Sequence, residues 1–176
     1  MKFSFVIPVH NGFGLLHQLL WDITKNCSTP HEVLIMDNVS TEHKFQDGID
    51  WWSTSHLLPI KHVRNEENLG FLRNSNKGLK MATGDIVCLI STDVRVYKDI
   101  VSHVIDSDFL GLWGGRFIGW DTGWNQFNGK IFPYIEGWLV GTDASIWKEL
   151  DYFDERFSPN DFEDVDLSTK ATKNGW

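Results

Sequence analysis

The chain has 176 residues, of which 41% are apolar and 23% are charged, a composition typical of a single globular domain. Its formal net charge of -8 excludes nucleic acid and an anionic membrane surface as the main partner, because those partners require clustered Lys and Arg. Small molecules and neutral polymers remain as candidate ligands.

Cellular location is indicated by the cysteines and by the apolar runs. Cys27 falls at a predicted helix end and Cys88 in a predicted buried strand, which favours free thiols in a reducing, cytoplasmic compartment. The first apolar run is short and contains Pro8, so we predict no signal peptide. Because a spanning helix needs roughly 20 apolar residues and no run approaches that length, any membrane association would be peripheral.

The first third of the chain alternates predicted strands with predicted helices. Residues 3–9, 32–36 and 60–63 are apolar runs of strand length, and the second run is followed directly by Asp37. Two segments between them carry apolar side chains at helical spacing: Leu15, Leu16, Leu19, Leu20 and Ile23, then Phe45, Ile49 and Trp52. Helical connections between short strands predict parallel βαβ units and an α/β fold.

The loop and helix at residues 65–83 are dense in amide side chains and glycine. Leu72, Ser75, Leu79 and Ala82 share one helical face, so Arg73, Asn76 and Lys77 are predicted to point elsewhere. A helix that begins near Gly70 offers free backbone N–H groups to an anion. The alternative is an ordinary loop followed by a capped helix.

Residues 86–90 form an apolar run without alternation, as expected for a strand that is buried on both faces. Ligands of open α/β sheets bind at the carboxyl ends of such strands, and Asp93 stands just beyond this one. A carboxylate there suits a hard divalent cation that is held partly by substrate phosphates. In the alternative interpretation, Ser91, Thr92 and Asp93 cap a helix that begins near Tyr97.

The second half has weaker periodicity. We predict a helix at residues 101–105, followed by strands at 109–117 and 130–135 on either side of a glycine- and tryptophan-rich loop at 119–129. Two further helices are predicted, at 142–150 and at 165–173. Thr142 or Asp143 would cap the helix at 142–150. A loop of this length can serve as a binding element.

Aromatic and acidic side chains are concentrated in this half. Four tryptophans are separated by glycines rather than set at a helical period: Trp113, Trp120, Trp124 and Trp138. Such rings stack on the apolar face of a sugar or on a base, and the alternative is a tryptophan-rich core. The acidic cluster, which a solvated surface would also explain, comprises Asp151, Asp154, Glu155, Asp161, Glu163, Asp164 and Asp166.

The order of these segments resembles that of the family 2 glycosyltransferases, which have the GT-A fold of nucleotide-diphospho-sugar transferases. The matching segments span nearly the whole chain in the family's order: residues 5–11 (Phe-Val-Ile-Pro-Val-His-Asn), 33–41 (Val-Leu-Ile-Met-Asp-Asn-Val-Ser-Thr), 68–71 with 74–78, 82–85 through 91–94, and 153–157 with 163–167. The resemblance implies one Rossmann-like domain over residues 1–176, with a mainly parallel central sheet between helices. Residues 1–96 would bind the nucleotide and residues 97–176 the acceptor.

The resemblance also implies a donor site. Pro8, His10 and Asn11 would line the nucleoside pocket, and Asp37 would accept a hydrogen bond from the base, most simply N3–H of uracil. The base and ribose side would be completed by Asn68, Gly70 and Asn76. The donor would be a nucleotide-diphosphate sugar, most simply a UDP-sugar.

Roles in the transfer step follow from the same resemblance. Asp93 matches the second acid of the family's Asp-x-Asp motif, which binds the Mg²⁺ or Mn²⁺ bridging the two phosphates, and Ser91 and Thr92 complete that turn. Asp164 matches the catalytic base of an inverting transfer, and Glu163 matches a ligand of the acceptor hydroxyl. An ordinary, low carboxylate pKa is acceptable for Asp164, because it keeps the base ionised at neutral pH. Trp124 and Trp138 are the candidates for binding a glycan or other hydroxyl acceptor.

The chain departs from the family pattern in two ways. Ser91 occupies the first position of the Asp-x-Asp motif and brings no charge. Relatives commonly continue beyond the position of Trp176, often with a histidine metal ligand. These departures motivate an alternative, a non-catalytic carbohydrate- or nucleotide-binding module. A nucleotidyltransferase is disfavoured, because Asn11-Gly12-Phe13-Gly14 lacks the basic residue of a phosphate loop.

Overall fold

The computed structural model describes residues 1–107, 111–114, 124–127, 130–159 and 161–176. The strands in these ranges are β1 (Phe3–Val9), β2 (Glu32–Asp37), β3 (Ile60–Arg64), β4 (Ile86–Ile90), β5 (Trp113–Gly114), β6 (Trp124–Phe127), β7 (Lys130–Pro133) and β8 (Leu139–Asp143). The helices are α1 (Phe13–Asn26), α2 (Phe45–Ser55), α3 (Gly70–Met81), α4 (Ile100–Ile105), α5 (Ala144–Glu149) and α6 (Glu163–Asn174), with a 3₁₀ turn at Glu155–Phe157.

A six-stranded sheet forms the centre of the described structure, in the order β3-β2-β1-β4-β8-β5. β1 pairs in parallel with both β2 and β4, and β2 pairs in parallel with β3. β8 runs antiparallel to β4, with Leu139 opposite Ile90. β6 and β7 form a separate antiparallel pair.

Helices cover both faces of this sheet. Side chains alternate along a strand, so Phe5 and Ile7 face one side and Val6 faces the other. The first side packs against α1, α2 and α4, and the second against α3, α5 and α6. Every residue of β1 and β4 is buried, which explains why these strands lack polar alternation.

The predicted α/β fold with a mainly parallel sheet between helices is confirmed. β1 has its predicted bounds, and β2 and β3 each extend one residue beyond theirs. The apolar spacing also identified α1, α2 and α3 correctly. None of the helices in the described ranges is long and apolar enough to cross a bilayer.

Predictions for the second half were less accurate. Residues 139–143 were not predicted as a strand, because a glycine interrupts β8 and its stabilising partner β4 lies about fifty residues earlier in the chain. Thr142 therefore belongs to β8, and the helix that follows begins at Ala144. Within the predicted strand at 109–117, the described part forms only Trp113–Gly114. Trp124–Phe127 is a strand inside the predicted loop.

Candidate active site

The carboxyl ends of β1 to β4 meet at one edge of the sheet, because these strands are parallel. The start of β8 lies at the same edge, since β8 is antiparallel to β4. Open α/β sheets bind their ligands at the carboxyl ends of their strands, so this edge is the candidate site.

The segment after β1 is held by the segment after β2. Asn11 adopts a left-handed conformation (φ 61°), and its Oδ1 accepts hydrogen bonds from the backbone N–H groups of Thr41 (2.8 Å) and Glu42 (3.0 Å). The N–H of Asn11 donates to the hydroxyl of Ser40 at 2.8 Å. His10 is exposed beside it, so both predicted residues lie at the ligand-binding edge.

Asp37 lies at this edge but is completely buried. One carboxylate oxygen accepts the N–H of Ser40 at 2.7 Å, and the other accepts from the guanidinium of Arg64 and lies 3.4 Å from His62 Nε2. The arginine side chain is 41% exposed and covers the carboxylate. Arg64, which sequence reasoning missed, is therefore the group that this structure presents to a ligand above Asp37.

Asn38 organises the neighbouring loops and was also missed. Its Oδ1 accepts from Asn65 Nδ2 (3.1 Å) and from the N–H of Leu69 (2.8 Å). Its Nδ2 donates to Asn68 Oδ1, and its backbone carbonyl accepts from His10 Nδ1 at 2.7 Å. Asn38 and Asn65 each directly follow a parallel strand, and that position is the sequence signal that could have identified them.

The amino end of α3 differs from its prediction. Gly70 begins the helix with φ 73°, a conformation that favours glycine. Its N–H donates to Asn68 Oδ1 at 2.9 Å, and the N–H of Leu69 is bonded to Asn38. These two donors are already satisfied by side-chain amides, so they are not free for an anion as predicted.

Two predicted nucleotide-binding residues lie inside the protein. Pro8 is buried within β1. Asn76 was predicted to point away from the packed face of α3, but it is only 2% exposed. Its Nδ2 donates to the carbonyl of Phe153 at 2.8 Å, and its Oδ1 accepts the N–H of Phe153 at 3.1 Å. That prediction of its direction is wrong, because α3 is packed against the segment at Phe153 as well as against the sheet.

The turn after β4 is not a helix cap. The helix predicted near Tyr97 begins at Ile100, and its cap is Asp99, whose side chain accepts the N–H of Ser102. Asp93 is exposed at the sheet edge. The turn is closed by a hydrogen bond from the N–H of Val94 to the carbonyl of Ser91, at 3.2 Å.

The donors of this turn fit a partly hydrated divalent cation. They are hard oxygen atoms, namely the carboxylate of Asp93 and the hydroxyls of Ser91 and Thr92. In the described part of the chain, no group of three or more His, Cys, Asp or Glu side chains is placed to hold a metal. Mg²⁺ commonly keeps several waters and binds one or two carboxylates plus substrate phosphates. The turn therefore suits an ion that is shared with a diphosphate.

Asp164 reaches the same edge from the start of α6. Its Oδ2 accepts the N–H of Gly137 at 3.2 Å, and its Oδ1 accepts the N–H of Val165 at 2.8 Å. The carbonyl of Trp138, the next residue after Gly137, accepts the N–H of Ser91 at 2.9 Å. The structure thus links the predicted base to the predicted metal-binding turn through one backbone turn before β8.

Burial changes the acidity of both predicted catalytic carboxyls. It raises the pKa of Asp164, outweighing the hydrogen bonds from Val165 and Gly137, and the charge of Glu136 adds to the increase. Burial likewise raises the pKa of Glu163, which is 7% exposed. The pKa of Asp164 is therefore raised above the ordinary carboxylate value, which would also have kept a base ionised at neutral pH.

Of the four tryptophans singled out in the sequence, the three that the structure describes lie in different segments. The indole N–H of Trp138 donates to Glu136 Oε2 at 2.6 Å, beside Asp164. Trp113 packs against the core on the α1 face. Trp124 lies in β6, and Trp120 falls outside the described residues.

Residues 4–131 match the family described as Glycosyl transferase family 2. The chain belongs to this family. Among related proteins, abequosyltransferase RfbV of Salmonella typhimurium is 34% identical over 112 residues, covering 61% of this chain and 33% of that protein.

Solved structures of other glycosyltransferases share the fold. Mannosyltransferase PcManGT from Pyrobaculum calidifontis, in complex with GDP-Man and Mn²⁺, has a TM-score of 0.75 at 19% identity, over 99% of this chain and 53% of that one. S. aureus TarS 1-349 in complex with UDP has a TM-score of 0.72 at 20% identity, over 97% of this chain and 55% of that one. The predicted GT-A fold is confirmed, and the family 2 chain spans between a third and about half of these relatives.

Proposed function

We propose that this chain is an inverting glycosyltransferase that moves a sugar from a nucleotide-diphosphate sugar, most simply a UDP-sugar, to an acceptor hydroxyl. The observation that supports it best is the backbone turn at Gly137–Trp138 (residues 137–138). This turn is hydrogen-bonded both to the carboxylate of Asp164 and to the backbone N–H of Ser91. The proposed base, Asp164, therefore lies next to the segment that carries the proposed metal ligand, Asp93. Membership of the family gives the same reaction class.

Asp164 would act as the general base. It takes the proton of the acceptor hydroxyl while the bond from that oxygen to the anomeric carbon forms, and the bond from this carbon to the diphosphate breaks on the opposite face. A base is most effective when its pKa is near the working pH, and burial moves the pKa of Asp164 in that direction. Glu163, buried beside it, would orient the acceptor hydroxyl.

The donor would bind at the edge of the sheet where the carboxyl ends of β1 to β4 meet. His10, Asn11, Asn68 and Gly70 border the nucleoside side, and Arg64 above Asp37 is an additional donor of hydrogen bonds. Asp93, with Ser91 and Thr92, would hold Mg²⁺ or Mn²⁺. When bound, that ion supplies positive charge that stabilises the leaving nucleoside diphosphate.

Two halves with separate tasks follow from this assignment. Residues 1–96 supply the strand ends proposed to bind the donor. Residues 97–176 supply Asp164, Glu163 and the proposed acceptor surface at Trp138 and Trp124. The acceptor is a glycan or another hydroxyl compound, and a cytoplasmic location accords with the free thiols of Cys27 and Cys88.

The competing proposal is a binding module that keeps the site without turnover. Ser91 supports it, because the first carboxylate of the metal motif is replaced by a neutral hydroxyl. A half-buried carboxylate at Asp164, which accepts two backbone N–H groups, favours the enzyme.

Calorimetric titration tests the donor site. UDP, GDP and dTDP are each titrated with and without Mn²⁺ into the wild-type protein and into the Asp93→Ala variant, with Asp106→Ala as an exposed control. We expect one nucleotide to bind in a Mn²⁺-dependent manner, and we expect Asp93→Ala alone to lose that dependence. Nucleotides of more than one kind are needed, because the related structures named above hold GDP-Man and UDP.

The outcomes separate the candidates. Mn²⁺-dependent binding followed by release of nucleoside diphosphate from the corresponding sugar donors supports the transferase. Binding without any turnover, over a broad set of sugars and acceptors, supports the non-catalytic module. No nucleotide binding under any condition contradicts the transferase and makes the non-catalytic module, with a carbohydrate as its ligand, the better account.

A further inference from the structure

Asp22, on the buried side of α1, binds the segment that follows Asp93. Its side chain is 8% exposed. Arg95 donates to it twice, from Nε to Oδ2 at 2.6 Å and from Nη2 to Oδ1 at 3.1 Å, and the N–H of Val96 donates to Oδ2 at 3.2 Å. A planar guanidinium fixed by two parallel bonds has little freedom, so Asp22 holds Arg95 and Val96 in one place.

Further contacts attach the same segment to α1. Asn26, one turn after Asp22, donates from Nδ2 to the carbonyl of Val96 at 2.6 Å. The Val96 side chain is 4% exposed and belongs to the core on this face. The exposed acid Asp93 is two residues before Arg95, so its backbone is tethered by α1 on one side and by the bond between Ser91 and Trp138 on the other.

We infer that Asp22 is a positioning residue for the metal-binding turn, acting through Arg95. It touches neither substrate nor metal, and its effect is to restrict where the carboxylate of Asp93 can lie. The inference rests on the proposed function, because it assumes that Asp93 binds a divalent cation together with a nucleoside diphosphate. Residues that orient a metal ligand from behind are expected to change metal affinity when they are removed.

The chain offers a matched control at the other end of β4. Glu32 Oε1 accepts the N–H (2.6 Å) and the hydroxyl (2.9 Å) of Thr83, just before this strand begins, and the hydroxyl of Ser4 at 2.8 Å. Asp22 and Glu32 are thus carboxylates that fix the chain beyond opposite ends of the same strand. Loss of either should destabilise the fold, but only Asp22 fixes the end that carries Asp93.

The experiment measures the Mn²⁺ concentration that gives half-maximal binding of whichever nucleotide, UDP, GDP or dTDP, binds the wild-type protein. Asp22→Asn and Arg95→Ala are each expected to raise that concentration about tenfold. The double variant should be no worse than either single variant, because both act through one contact. Glu32→Gln should lower the urea midpoint of unfolding yet leave the Mn²⁺ requirement unchanged.

Three outcomes would overturn the inference. Wild-type Mn²⁺ dependence in Asp22→Asn and Arg95→Ala would show that the contact does not position Asp93. Equal shifts in Asp22→Asn and Glu32→Gln would show a general loss of stability. If the wild-type protein itself shows no metal-dependent nucleotide binding, the proposed function fails first. Arg95→Ala keeps the test available if Asp22→Asn does not fold, because the Arg95 side chain is 46% exposed.

Discussion

The backbone N–H of Gly137 donates to Oδ2 of Asp164 across a distance of 3.2 Å. A Cβ atom added at Gly137 would lie 3.7 Å from the Cβ of Asp164 and 3.5 Å from Oε1 of Glu163, so the turn is in near contact with both acids. The carbonyl of the following residue, Trp138, accepts the N–H of Ser91. The turn therefore sets the relative position of the proposed base and the proposed metal-binding segment.

Replacement of Asp164 by Asn should abolish measurable transfer while nucleotide binding survives. Loss of a positioned general base typically costs about 10² to 10⁴ in rate, and the nucleotide is assigned to other residues. Release of nucleoside diphosphate and calorimetric binding are measured on the same samples. Asp166→Asn, which removes a carboxylate on the same helix that pairs with Lys170 at 3.1 Å, should retain activity. Lost nucleotide binding in Asp164→Asn would count against its role as the base.

The pH dependence of transfer should reflect the raised pKa of Asp164. The base works only when ionised, so kcat/KM should fall as the pH drops through a value above the ordinary 3.8 of an aspartate. The charge of Glu136 contributes to the raised pKa, and its removal makes ionisation of Asp164 easier. Glu136→Gln should therefore move the acidic limb of the profile to lower pH. An unchanged limb in this variant, with Glu149→Gln as the control, would contradict the assignment.

Replacement of Trp138 by Ala should weaken use of the acceptor more than binding of the nucleotide. The backbone bond from Ser91 to Trp138 does not need the side chain, so the turn is retained while the ring is lost. Trp138→Phe keeps a ring and removes only the N–H that donates to Glu136, so it should recover part of the acceptor KM. Trp124→Ala is expected to act like Trp138→Ala. Equal loss of acceptor and nucleotide binding, or loss of folding, would instead assign these residues to the core.

Glu32 should stabilise the protein in a pH-dependent way. Burial by itself raises its pKa, but hydrogen bonds from Thr83 and Ser4 outweigh that effect and hold the pKa below the ordinary 4.5. A lowered pKa means that the stabilisation is present above pH 4.5 and is lost as the pH falls through the lowered value. Urea midpoints of wild type and Glu32→Gln should differ at pH 7 and converge in acid. A difference that grows as the pH falls would refute this explanation.

Gly78 lies where α3 packs closely against β1 and β2. A Cβ there would be 2.5 Å from Cγ1 of Val6 and 2.7 Å from Cγ of Met36. Overpacking typically costs about 1–3 kcal/mol, which exceeds the gain of about 1 kcal/mol in helix propensity, so Gly78→Ala should lower the urea midpoint. Gly14→Ala, which meets nothing within 4 Å, should leave the midpoint unchanged or raise it. The opposite order of the two variants would contradict the packing of α3 described above.

Local sequence patterns were sufficient to predict the strands and helices of residues 1–96. Apolar runs without alternation and helical spacing between them are local signals, so β1 to β4 and α1 to α3 could be located from neighbouring residues alone. Because ligands bind at the carboxyl ends of parallel strands, this pattern also predicted Asp37 and Asp93 at the ligand-binding edge, and the family resemblance added His10 and Asn11.

Contacts between distant segments determine which polar side chains at that edge are available to a ligand. Asn76 is used by Phe153, which is 77 residues away, and Asp22 binds Arg95 across 73 residues. Asp37 is covered by Arg64, a pairing that depends on the register of β2 against β3. Hydrogen bonds between distant segments leave no periodicity in the sequence, because they are determined by how whole layers pack. β8, which follows the turn beside Asp164, was not predicted for the same reason, because its pairing partner β4 is distant in the sequence.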